Sequence, residues 1–341
     1  MVVAAGGTMK KVIFTLAALL LIAGLAEVIV LRRTLIEPVK LGAVLFSLSL
    51  TLGAFIGLTD SGLVRELRHW AAHSITAAGA VPLALLAPYM IYALGTGTFS
   101  LIGLGKLAAY VLAPTALLLP DRMSRDPVGT GHRAGQVGWR DFAAMVALGL
   151  PISANWLAGI WTWPFELYFF RPLTAVCVGS YSFMVVRNLD DVGYKLALRK
   201  ADWIDGLANF AAFSLLAIPL GYALGFIHFR PASVSLAGFS LQLLGIYLTI
   251  AIPEELLFRG ILQNSLMRII QRGPKGVYGL LIASLVFGAS HLHHPPVPNW
   301  KYGIMASLAG IFYGNAYRTR HRLSAPALTH ALVDTAWHFW F

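Results

Sequence analysis

Three short patterns near the C-terminal end place proton-handling side chains inside otherwise apolar sequence. The first is Ile252-Pro253-Glu254-Glu255-Leu256-Leu257-Phe258-Arg259. Glu255 and Arg259 stand at i, i+4 with the acid first, the favoured order for an ion pair along one helix face. Such a pair neutralises both groups and leaves Glu254, about 100° round the helix, without a partner of its own. An unpaired carboxylate in an apolar setting is a candidate general base or acid. Pro253 lacks a backbone N–H, so it loosens the helix just ahead of Glu254 and offers a way in for water. The second pattern is Phe287-Gly288-Ala289-Ser290-His291, whose ends share a helix face: a ring for a wall and a nitrogen for a ligand or a water. The third is His330-Ala331-Leu332-Val333-Asp334, again at i, i+4, with His338 one turn further on. Taken singly, each has a structural explanation: a histidine can bond two helices together, Phe287 can simply pack, and a Glu–Arg pair can be a brace. Together, two glutamates, two histidines and an aspartate between positions 254 and 334 are costly inside lipid unless they perform a function. His293 and His294, just before Pro295-Pro296, read as interfacial loop residues.

The elements that must hold these groups are membrane-spanning helices. Of 341 residues, 57% are hydrophobic and 12% charged, with a mean hydropathy of +0.71. A soluble domain carries roughly 25% charged residues, so a soluble fold is excluded. Val12 to Leu31, Val39 to Leu58, Ser74 to Leu94 and Phe99 to Leu119 each have about the ~20 apolar residues that cross a bilayer as helix. Further apolar stretches lie near 141–161, 172–186, 207–227, 236–257, 277–291, 303–317 and 323–341. Backbone polar groups find no water in lipid, so the expected fold is an all-α polytopic transmembrane helix bundle of about 8–11 spans.

The net charge of +11 sits between the spans rather than on a nucleic-acid-binding face. Arg122, Arg125, Arg133 and Arg140, then Lys195, Arg199 and Lys200, then Arg268, Arg272 and Lys275, then Arg318, Arg320 and Arg322 fall on the same side as Lys10 and Lys11. That is the positive-inside pattern, with Arg32 and Arg33 as exceptions. A solvated basic loop explains such clusters without nucleic acid. Cys177 is the single cysteine, so no intramolecular disulfide or cysteine metal cluster is available. Lys10-Lys11 before Val12 to Ala26 has the form of a signal peptide, with Gly24-Leu25-Ala26 as a cleavage site, but the apolar run continues past Ala26 and favours an uncleaved anchor.

Two regions are expected. Residues 1–205 hold almost no ionisable groups deep within a span and form an N-terminal transmembrane region of unassigned role; residues 206–341 carry the polar patterns. The Gly53/Gly57, Gly221/Gly225 and Gly310/Gly314 pairs suggest close helix packing.

Glu-Glu-x-x-x-Arg at 254–259, Phe-x-x-x-His at 287–291 and His-x-x-x-Asp at 330–334 resemble, in order and spacing, the signature of the CAAX protease and bacteriocin-processing family, which includes the Ras-converting CAAX prenyl endopeptidases. The resemblance covers about residues 240–341. It implies an intramembrane glutamic endopeptidase acting on a membrane-anchored or hydrophobic protein or peptide. Glu254 would activate water with His291, His330 with Asp334 would stabilise the oxyanion, and Glu255, Arg259 and Phe287 would support them. Members of the family can carry Asn where Asp334 stands. An amide donates to an oxyanion and an ionised carboxylate does not, so Asp334 is expected to orient and charge His330, which then donates. No cofactor is expected. A zinc-dependent version of the same reaction, with Glu254, His291, His330 and Asp334 as N and O ligands, is a rival, although no His-Glu-x-x-His motif is present. The rival from another class is a proton- or ion-coupled transporter using the Glu/His cluster as a relay; no matching cluster in residues 1–205 supports it. A scaffold that kept the motifs without catalysis is a third reading. The residue usage, heavy in Ala, Leu, Gly and Arg, suggests a bacterial cytoplasmic membrane.

Overall fold

A computed structural model describes residues 23, 24, 26, 37–123, 137–270 and 276–341. Most of the expected first span, its flanking Lys10, Lys11, Arg32 and Arg33, and most of the charged loop after residue 120 lie outside the described residues. Every regular element described is helical. The chain divides into two compact units, Met1–Gly129 with Val146–Asn188, and Thr130–Met145 with Leu189–Phe341.

In the first unit, helix α1 (Pro38–Gly57) starts on a proline, whose missing N–H costs nothing in a first turn. The amphipathic α2 (Ser61–Ala72) is capped by Asp60 and α3 (Ile75–Ala84) by Ser74. α3 and α4 (Ala87–Thr96) form one span interrupted at Leu85–Leu86, between Pro82 and Pro88. α5 (Leu101–Met123) follows. α6 (Trp139–Ser153), which belongs to this unit from Val146 on, is shorter than the apolar stretch that encodes it. Pro151 and the left-handed Asn155 end it, and a run of turns leads to α7 (Phe170–Val186). Arg171, in the first turn of α7, is buried and paired with Glu166 and Asn155 from those turns.

The second unit contains α8 (Lys200–Ala223), α9 (Leu236–Ile269), α10 (Val277–Ala289), α11 (Trp300–Arg318) and α12 (Ser324–Trp340). Ser235 caps α9 and Asn299 caps α11. Phe213, Phe258, Phe287, Met305, Ala309 and Tyr313 form its apolar core. Leu215 on α8 and Leu285 on α10 point outward, as lipid-facing positions should. In the first turn of α8, buried Asp202 accepts from Arg322 and Ser324 at the start of α12, so one carboxylate ties α8 to α12.

Five described helices are long and apolar enough to cross a membrane, and α7 and α10 are apolar but shorter. The protein is a polytopic helical membrane protein. The glycine pairs divide. A Cβ on Gly310 would meet the Ser284 backbone at 2.9 Å, and one on Gly314 would meet Gln263 at 2.6 Å. At Gly53 it would meet nothing within 4 Å, so spacing alone does not mark a helix contact there.

Candidate active site

Four helices of the second unit supply the polar groups. α9 changes winding twice: π-helical turns at Tyr247–Ala251 and Leu256–Gln263 flank an α-helical turn, Ile252–Glu255. Pro253 sits between them and lacks the N–H that a regular ladder requires. π-turns widen the helix and are common at functional sites. Here they bracket Glu254 and Glu255.

Glu255 and Arg259 are buried and paired, Nε to Oε2 at 3.1 Å. Glu255 also uses its other oxygen: Oε1 lies 2.8 Å from Nδ1 of His330 on α12. The buried pair is therefore a triad, Arg259–Glu255–His330, spanning α9 and α12. The guanidinium lies 4.5 Å from the Phe287 ring centroid and 5.2 Å from that of Tyr313, an arrangement that offsets part of the cost of burying it.

The other edge of His330 faces two carboxylates. Nε2 is 3.4 Å from Asp334 Oδ2 and 3.9 Å from Glu254 Oε2. The His330 side chain is 5% exposed, Glu254 35% and Asp334 27%, so the accessible side of this imidazole is the side with Nε2. Glu254 Oε2 is itself buried and accepts no hydrogen bond from the protein. The carboxyl thus has one oxygen inside and the rest of the group reachable.

His291 follows the end of α10. Its Nδ1 donates to the Phe287 carbonyl at 2.7 Å, which directs the acceptor nitrogen, Nε2, away from the helix. Phe287 joins the two histidines, with ring centroids 4.6 Å from His291 and 6.0 Å from His330. Tyr302 covers His291 edge-on at 4.8 Å and packs against Trp337 on α12. His294 stacks obliquely on Tyr302, exposed His293 bonds the Ser290 carbonyl, and exposed His338 lies against Phe339. None of these three joins the carboxylates.

The structure therefore brings together Glu254, Glu255, Arg259, Phe287, His330 and Asp334, with His291 joined through Phe287. Three neighbours carry no signal in the patterns: Tyr313, flat on His330 with centroids 4.7 Å apart and planes at 19°; Tyr302; and Gln263, buried one turn beyond Arg259 and donating to the Gly314 carbonyl. Tyr313 lies beside Gly314, so the small-residue pair was the nearest clue to it. Among the described residues, no group of three or more His, Cys, Asp or Glu has the arrangement of a metal centre.

A membrane-spanning helical bundle with a partly accessible carboxylate and histidines at its core is the architecture of a polar site within the bilayer. Residues 236–336 match the family described as Type II CAAX prenyl endopeptidase Rce1-like, and this part of the chain is similar to that family. That match supports protease activity for the domain. No curated protein and no solved structure matches the chain.

Proposed function

We propose that this protein is an intramembrane glutamic endopeptidase that hydrolyses a peptide bond of a membrane-associated protein or peptide. The observation that carries the reading is Glu254: a carboxyl whose Oε2 accepts no protein hydrogen bond, on a partly accessible side chain, 3.9 Å from His330 Nε2. Glu254 takes a proton from water as the oxygen attacks the scissile carbonyl carbon. His291 Nε2, free because Nδ1 is committed to Phe287, holds that water. The carbonyl electrons move to oxygen, and His330 donates a hydrogen bond to the resulting oxyanion from Nε2. With a proton at Nδ1 on Glu255 as well, His330 acts as an imidazolium, and Asp334 and Glu255 supply the balancing charge. As the oxyanion collapses, the C–N bond breaks and Glu254 returns its proton to the leaving amine. The cleavage needs no metal in this scheme. The substrate reaches the site from the bilayer of a bacterial cytoplasmic membrane.

The test compares protein and peptide termini by mass spectrometry in membranes holding the wild type or Glu254→Ala at matched abundance. New termini specific to the wild type are expected, falling by about 10²–10⁴-fold in the variant. Equal profiles would overturn the protease reading. Stoichiometric zinc in the active purified protein, with activity lost on its removal, would overturn the metal-free scheme alone.

A further inference from the structure

His330 is held on two sides by groups that the hydrolysis does not consume. Its Nδ1 edge meets Glu255 Oε1 at 2.8 Å, and that carboxylate is anchored by Arg259 at 3.1 Å. One ring face lies on Tyr313, 4.7 Å away and within 19° of parallel. Both Glu255 and Tyr313 are buried. Their ring and carboxylate belong to different helices, α9 and α11, while the imidazole belongs to α12. An imidazole has two ring orientations that exchange Nδ1 with Cδ2 and Nε2 with Cε1, and which nitrogen is presented to a ligand is set by the bond the other one makes.

The geometry points to Glu255 and Tyr313 as positioning residues: Glu255 holds the His330 Nδ1–H and Tyr313 fixes the ring plane, so that Nε2 faces the space between Glu254 and Asp334. The consequence for catalysis rests on the protease reading above, but the arrangement itself does not. The groups facing His330 are Glu254 and Glu255 from α9, Tyr313 from α11 and Asp334 from its own helix. Phe287 from α10 faces it edge-on. Glu255 thus does more than neutralise Arg259. It sets which nitrogen is offered to the site.

The test is histidine ¹⁵N NMR of the full-length protein in lipid nanodiscs, with His330 assigned by the signal lost in His330→Asn. Wild type should show a proton on His330 Nδ1. The double variant Glu255→Leu/Arg259→Met removes both buried charges together, so the fold survives, and the Nδ1–H signature should disappear. Tyr313→Phe keeps the ring face and should retain both the signature and the cleavage rate. Tyr313→Leu should lower kcat roughly 10- to 100-fold at nearly unchanged KM, the size of loss known for groups that orient a metal-bound imidazole. A bare Nδ1 in the wild type would overturn the proposal, as would equal kcat losses in Tyr313→Phe and Tyr313→Leu. Because the NMR needs no substrate, a wild-type Nδ1–H in a protein that cleaves nothing would support the arrangement while sinking the protease reading.

Discussion

At the scale of residues, two adjacent glutamates have opposite energetic roles. Glu255 is buried with a charged partner on either side, and removing it strands Arg259 in the core. Breaking a buried pair by deleting one member costs about 3–5 kcal/mol. Glu254 carries no pairing within hydrogen-bond distance, and its loss should change stability by less than about 1 kcal/mol. In thermal unfolding of the purified protein, Glu255→Ala should therefore melt well below wild type and Glu254→Ala close to it. Similar melting of the two would contradict this division. The Glu255–Arg259 pair was legible from i, i+4 spacing alone, because both members lie on one helix. The Glu255–His330 bond was not, since 75 residues separate its members and no local periodicity links α9 to α12.

At the scale of elements, the site depends on how closely α10 and α11 approach. Gly310 faces the Ser284 backbone, and Gly288 faces Ser307 and the Gly303 carbonyl. Backbone cannot yield as the end of a side chain can. Gly310→Ala should force the helices apart and destabilise by about 1–3 kcal/mol. It should lower activity as well, because α10 leads into His291 and α11 carries Tyr313. Gly53→Ala, in open space within α1, should be neutral or stabilising by up to about 1 kcal/mol. Melting temperatures of the two variants test this directly; equal losses would show that the approach at Gly310 is unimportant. Both glycines belong to G-x-x-x-G pairs and look alike in sequence. What separates them is the neighbour each meets, a property of the packed helices. The π-turns of α9 were foreshadowed only by Pro253, which identified a disrupted ladder but not how the chain would resolve it.

At the scale of the whole molecule, a polar pin outside the site supports the second unit. Asp202 is buried and receives Arg322, Ser324 and the Arg199 N–H, joining the start of α8 to the start of α12, the helix of His330 and Asp334. Arg322→Ala leaves this carboxylate buried with its hydroxyl and amide donors alone, and a loss of about 3 kcal/mol is expected. The decrease should appear as a lower melting temperature, and a variant as stable as wild type would show that Ser324 and Arg199 suffice. The sequence places Arg322 only within a basic loop, because its partner lies 120 residues away.

Composition and hydropathy alone determined the helical class and the membrane setting, since the bilayer admits few backbone solutions and demands long apolar runs. Local spacing paired Glu255 with Arg259, Phe287 with His291 and His330 with Asp334, because residues four apart on one helix are neighbours, and it left Glu254 without a partner. Only the tertiary structure decided which edge of His330 meets Glu255, that Tyr313 lies beneath it, and which glycines stand at helix contacts. Those relations join residues on different helices, and packing rather than periodicity brings them together.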